Sequence, residues 1–194
     1  PPSQRAKAAQ ETAQTARACV AAQPFYWEIG DAERKLAAAS VGQHAPDADT
    51  PMALASASKW LYGAYVAQQR DGRLSDDDIR FLTFRSGYTK FRICRRGQTV
   101  ADCQSGLING KGRPDDATAN LFAYGGGHMQ KHALLMGLGE MDNAQLAAAI
   151  AHGLRPLGPD WRIDYSQPQL AGGAHGTANQ YSHFLRGVLQ NELK

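Results

Sequence analysis

Ser56 and Lys59 stand three residues apart where an apolar-spaced helix begins, in MALASASKWLYGAYVAQQRDGRL, residues 52–74. Residues i and i+3 share one helical face, so the lysine amine can reach the serine hydroxyl. A free serine hydroxyl is a poor nucleophile and needs an adjacent base. A lysine serves as that base when desolvation or nearby cations favour its neutral form, and Met52, Leu54, Trp60 and Leu61 around it are apolar. The N–H groups and dipole of a helix start also favour a developing oxyanion. The competing account is a capping serine beside a solvated lysine, because both residue types are common.

Other residues invite weaker chemistry. His128 and His132 have the i, i+4 spacing of a metal pair, but no third ligand is placed with them. A histidine facing the site, or a contact between helices, accounts for them better. Gly125, Gly126 and Gly127 precede a helix without the lysine and Ser/Thr of a phosphate loop, so close backbone approach is the simpler reading. Asp76, Asp77 and Asp78 suit the start of a helix. His175 and Asp164 could complete a Ser-His-Asp set with Ser56, although Lys59 makes that unnecessary. No metal or cofactor is implied.

The elements that must position these residues can be read in order. Residues 5–22 are Ala-rich with helical spacing. Phe25, Trp27 and Ile29 alternate, Gly30-Asp31 can turn the chain, and a return strand runs towards Val41. The helix after Ser56 ends at Asp71-Gly72. Ser75 caps a short helix that breaks at Ser86-Gly87, and residues 88–119 are loop-rich. Three further helices follow: one entered through the glycine triplet, one capped at Asp142 or Asn143, and one started by Thr177. Residues 155–176 read as irregular. Six helices and one two-stranded hairpin result, and a two-stranded sheet is marginal alone.

The bulk properties bound the function classes. With 194 residues, 43% hydrophobic and 20% charged, the chain can bury a core. The net charge of +3 has no broad basic face, which argues against nucleic acid. The densest basic group, residues 90–96, also carries Phe91 and Ile93. No run of 18 apolar residues exists, so no membrane span is expected. Cys94 and Cys103 bracket a compact loop that a disulfide could close, worth roughly 2–3 kcal/mol in the chain-entropy picture. Three reduced thiols, Cys19 among them, are the alternative. A periplasmic or secreted protein with its signal peptide removed is expected, with a cytoplasmic one as the other possibility.

Four blocks in order resemble the serine β-lactamase and penicillin-binding-protein family, specifically its class C-like branch of esterases and peptidases, over most of the chain. The SxSK helix is ASASKWLYGAYVAQQRDGRL; IRFLTFRSGY is similar to hLLxHTSG. AYGGGHMQKHALLMGLGEM looks like the helix led by Y-x-N, with Tyr124 as the tyrosine, and AGGAHGTANQYSHFLRGVL is similar to GGxxSTAxDYxRFxxxLL. The resemblance implies that Ser56 is acylated and Lys59 takes its proton. It implies that Tyr124 acts in the base or leaving-group step, and that the Ser56 N–H forms half of an oxyanion hole. Gly126, His128 and Gly173 are read as lying on the substrate-binding side. Two departures stand out: Gly126 replaces the motif asparagine, for which Asn120 or Gln130 could compensate, and the late Lys/His-Thr/Ser-Gly strand motif is absent.

The implied fold is α+β, β-lactamase/transpeptidase-like. Residues 1–194 are then the N-terminal portion of one domain, with a strand hairpin and loop at 23–45 and a mostly helical region at 56–194. The remaining sheet strands are expected on a C-terminal segment or second chain that pairs with the hairpin, supplies the second oxyanion donor and offers a partner for Cys19. The implied function is acyl transfer from a small-molecule or oligomeric ester or amide to Ser56, then to water. The rivals are a catalytically impaired binding protein on the same scaffold and an unrelated helical binding module.

Overall fold

The computed structural model describes residues 2–194. It is mostly helical with small antiparallel sheets, and it divides into two compact units: Pro1–Pro51 with Thr177–Glu192, and Met52–Gly176 with Leu193–Lys194. In chain order the elements are α1 (Pro2–Thr15), α2 (Arg17–Ala21), β1 (Phe25–Gly30) and β2 (Lys35–Val41). The second unit holds β3 (Met52–Ala53), α3 (Ser58–Gln69), α4 (Asp76–Leu82), α5 (Val100–Ser105), α6 (Gly127–Leu135), α7 (Asn143–Gly153), β4 (Asp164–Tyr165) and β5 (Ala174–Gly176). Then α8 (Ala178–Leu189) returns to the first unit.

In the first unit β1 and β2 pair antiparallel, Phe25 opposite Val41, with an irregularity at Ile29/Gly30. The turn sits one step later than Gly30-Asp31: the Asp31 carboxylate accepts from the N–H groups of Glu33 and Arg34. The expected single helix at 5–22 is two, because Ala16 is extended at φ −66°, ψ 128°. Helix α1 packs on the hairpin. Helix α8 is tied to it by Asn179 to Lys35, Arg186 to Glu28 and Gln190 to the Ala32 carbonyl. Nearly every hairpin residue is half-buried, and among the described residues each strand keeps one unpaired edge.

The second unit departs from the sequence expectation in two places. Residues 155–176 carry β4 and β5, which join β3 in a three-stranded sheet of order β3-β5-β4. Strands of two or three residues are too short to show alternation, which is why only the hairpin was legible. The loop-rich stretch 88–119 contains α5, started by a Thr99/Asp102 capping box. Helix α3 is the centre of the core: Leu61, Tyr62 and Val66 are fully buried, as are Leu146 and Ile150 of α7 against it. Asp142, rather than Asn143, caps α7 through a box with Gln145, and Ser75 caps α4 through one with Asp78.

A buried polar chain crosses this core. Tyr62 of α3 meets His132 Nδ1 of α6 at 2.8 Å, and His132 Nε2 meets Asp78 Oδ1 of α4 at 2.9 Å. The Arg70 guanidinium closes the chain on the same carboxylate at 3.0 and 3.2 Å. Burial pushes the Asp78 carboxyl up, but hydrogen bonds from Arg70, Ser75 and His132 outweigh it and hold the group well below the usual carboxylate range. Burial pushes His132 down and outweighs Asp78, so the imidazole is neutral, with Nε2–H donating to Asp78 and Tyr62 donating to Nδ1.

Candidate active site

The chain reaches Ser56 through a 3-10 turn, Ala55–Ala57, directly before α3. As the second residue of that turn, Ser56 has an N–H with no partner inside the helix. Ala55 sits at φ 45°, a left-handed conformation that costs a non-glycine residue of order 1 kcal/mol. Ser58 offsets that cost. It is fully buried, donates to the Ala55 carbonyl at 2.6 Å and accepts from the Ala174 N–H of β5 at 3.2 Å. Its only sequence signal was its place inside SASK, next to a more conspicuous serine.

Lys59, in the first turn of α3, lies 3.1 Å from Ser56 Oγ and donates to the Ala171 carbonyl at 2.7 Å. Tyr124 approaches from the loop before α6, and its hydroxyl donates to Ser56 Oγ at 2.8 Å. The Lys59 amine also lies 4.9 Å from the centre of the Tyr124 ring. Ser56, Lys59 and Tyr124 therefore share one hydrogen-bonded cluster, and Tyr124 is 60% exposed, so the cluster opens to solvent. Hydrogen bonding with Ser56 and with Lys59 holds the Tyr124 phenol below its ordinary value of 10.0.

The Tyr124 loop is braced from behind. The Asn120 and Ala123 N–H groups donate to the carbonyls of Arg85 and Phe84, and the Phe84 ring lies 5.0 Å from that of Tyr124. Phe84 holds φ 62°, unusual for a bulky residue, so this brace is itself built on a strained turn. His128, expected to face substrate, is fully buried. Its Nδ1 accepts from the Ser86 N–H at 3.3 Å and meets the Ser86 hydroxyl at 2.7 Å, which leaves Nε2–H to donate to the Ala123 carbonyl at 2.8 Å. Burial holds His128 below the ordinary histidine value, in keeping with this neutral tautomer. It touches the residue before Tyr124 and does not reach the open face.

Gly126 lies two residues past Tyr124. A Cβ there would stand 3.0 Å from the Phe91 ring and 3.2 Å from the Ala171 methyl, so the space for an asparagine side chain is filled. Gly127 packs against the Tyr88 carbonyl with no room for any side chain. Neither Asn120 nor Gln130 compensates at Ser56. Asn120 sits in the left-handed turn that starts the brace. Gln130 is fully buried; it donates to the carbonyls of Val100 and Pro168 and accepts from the Leu170 N–H. Gly173 is buried in the β4-β5 turn, where a Cβ would crowd the Gln167 and Gln169 carbonyls. Asp164 and His175 pair with each other across β4 and β5, while the Ser56 hydroxyl is bonded by Lys59 and Tyr124.

Cys94 and Cys103 form a disulfide, as the loop spacing suggested, and both are buried. Among the described residues Cys19 is free, no helix is long and apolar enough to cross a membrane, and no His, Cys, Asp or Glu group is arranged to hold a metal.

A similar fold occurs in part of a solved protein. A crystal structure of a "putative beta-lactamase" from Bacteroides dorei DSM 17855 superposes with a TM-score of 0.59. The fold is, in part, β-lactamase-like. The likeness covers 86% of this chain at 20% identity, and this chain spans 57% of that structure's length. At that identity the likeness is one of fold. No family model matches the sequence, and no curated protein matches it. Ala171 and Phe91 complete the surroundings of Lys59 and Gly126. Sequence reasoning missed both, one because it acts through a backbone carbonyl and the other because its partner is 35 residues away in the chain, Phe91 against Gly126.

Proposed function

We propose that this chain carries the nucleophile side of a serine hydrolase site that takes an ester or amide. The observation that carries the reading is one exposed hydroxyl, Ser56 Oγ, within hydrogen-bond distance of both an amine and a phenol. In the proposed cycle Ser56 Oγ attacks the substrate carbonyl carbon and its proton passes to Lys59. One N–H of Lys59 is taken by the Ala171 carbonyl, which orients the amine towards Ser56. The carbonyl oxygen becomes an oxyanion near the Ser56 N–H. The C–O or C–N bond then breaks, and the leaving group takes a proton delivered through Tyr124, leaving an acyl ester on Ser56. Water attacks that ester by the same route in reverse, releasing the acid.

The lowered phenol of Tyr124 supports its place in the proton path. The reading calls for a second N–H donor opposite that of Ser56, which we assign to a strand-rich partner segment. A periplasmic or secreted setting is part of the proposal, supported by the Cys94–Cys103 disulfide.

A second reading, an acyl-binding protein with impaired turnover, draws on the Phe91 ring filling the place of the motif asparagine. Incubation with p-nitrophenyl acetate separates the two. The hydrolase reading expects steady release of p-nitrophenolate with an acetyl mass on Ser56, and the impaired reading expects at most one equivalent. Acetylation elsewhere with Ser56 unmodified refutes both.

A further inference from the structure

The basic stretch 90–96, of which Phe91 alone touches the Gly126 position, borders a group of exposed apolar side chains. Leu107 is 77% exposed, Ile93 49% and Ile108 46%. A cavity of about 420 Å³ lies on one side of the Leu107–Ile108 pair, lined also by Lys90, Phe91 and Arg92. One of about 270 Å³ shares the pair and adds Ile93, Arg95 and Gln98. Among the described residues neither lining includes a carboxylate. Lys90 has Asp115 at 3.7 Å, whereas Arg92 and Arg95 have no carboxylate partner among the described residues.

The surface is held from below. Asn109, buried, accepts from the Arg92 N–H at 2.8 Å and donates to the carbonyls of Ile93 at 2.9 Å and Cys103 at 2.7 Å. The Cys94–Cys103 disulfide ties the same two segments. Leucine and isoleucine are thus kept in water by a rigid base, and contiguous exposed apolar surface of this kind marks a binding site. Unpaired guanidinium groups beside it select an anion, and guanidinium suits carboxylate or phosphate oxygens.

We propose that these paired cavities bind a single amphiphilic anion, an alkyl chain ending in a carboxylate or phosphate. The chain lies along Leu107, Ile108 and Ile93, and the head group meets Arg92 or Arg95. The concave form favours one molecule over a flat bilayer, and the larger cavity has the size of a small-molecule site, roughly 300 Å³ or more. Phe91 lines that cavity and also touches the Gly126 position, two residues past Tyr124. The proposal requires no acylation of Ser56.

Calorimetric titration of the intact chain tests it with decanoate, decyltrimethylammonium and decanol, all below their aggregation limits. Decanoate is expected to bind at least ten-fold more tightly than the other two. Arg92→Glu with Arg95→Glu, and separately Leu107→Ser with Ile108→Ser, should each weaken decanoate at least ten-fold while the thermal midpoint stays unchanged. Equal binding of the anion and the cation, or a charge-reversed variant within two-fold of wild type, overturns the proposal. So does co-sedimentation with phosphatidylglycerol vesicles in the absence of any decanoate binding, which would make the surface a membrane contact instead.

Discussion

Two polar clusters share helix α3 and differ in access. Lys59 reaches out to Ser56 and Tyr124, while Tyr62, one turn further along, reaches in to His132, Asp78 and Arg70. The inner chain of tyrosine, imidazole and carboxylate looks more like a catalytic relay than the outer one. However, Tyr62, His132 and Asp78 are all at most 1% exposed, and every polar end is occupied. No substrate atom could reach it. The outer cluster has fewer bonds, an open face and a hydroxyl held by a strained turn at Ala55. Access distinguishes a reactive group from a structural one when hydrogen-bond distances are the same.

The largest expected separation comes from paired variants. Ser56→Ala should lower esterase activity by roughly three orders of magnitude or more, because a nucleophile has no substitute. Its thermal midpoint should hold, since among the described residues the only bonds the Ser56 side chain makes, to Lys59 and Tyr124, are solvent-exposed. His132→Leu should do the reverse. It strands Tyr62 and Asp78 in the core, costs about 2–4 kcal/mol by chemical denaturation and leaves the folded fraction active. Comparable loss of activity per folded molecule in both variants would erase the distinction.

Lys59→Arg comes next. It keeps the charge but cannot give up a proton near neutral pH, so activity should fall about 100-fold or more, nearly as far as in Lys59→Ala. An active arginine variant would make the amine a fixed positive charge only. Tyr124→Phe should cost about 10- to 100-fold. It should also remove a limb in kcat/KM that falls as pH rises through a value below 10.0, where the phenol loses the proton it passes to the leaving group. An unchanged profile would take Tyr124 out of the proton path.

How much of this was legible depended on the kind of signal. Ser56 and Lys59 were visible because i, i+3 spacing is itself geometry. Tyr124, 65 residues beyond Lys59, could be placed only by resemblance, since nothing local joins it to Ser56. Cys94 and Cys103 were readable because the loop between them is short. His128 was misplaced because spacing gives a face and says nothing of depth; its environment is set by Ser86 and Ala123, which fold over it. The three-stranded sheet was missed because its strands are held by pairing between distant segments, such as Met52 with Gly176, and not by alternation.

The smallest effects concern the supports. Ser58→Ala should cost about 1–2 kcal/mol and slow acylation, because Ala55 loses the bond that holds its turn. Ser56 reacting as before in that variant would show the turn to be self-sufficient. Acid should weaken the inner region first. Burial holds His128 and His132 below the ordinary 6.5, so the folded state binds fewer protons than the unfolded chain, and stability present above 6.5 is lost as pH falls below it. Asp78, held below its ordinary 3.8, adds a further loss only below that value. Denaturation midpoints flat between pH 7 and 5 would contradict the neutral tautomers assigned to both histidines.

Labelling with a fluorophosphonate, followed by peptide mass spectrometry, tests the central claim most directly. The account predicts one equivalent of label on Ser56 in the wild type, none in Ser56→Ala, and much slower labelling in Lys59→Ala than in His132→Leu. A protein that stays unlabelled, or that carries the label on any residue other than Ser56, contradicts it.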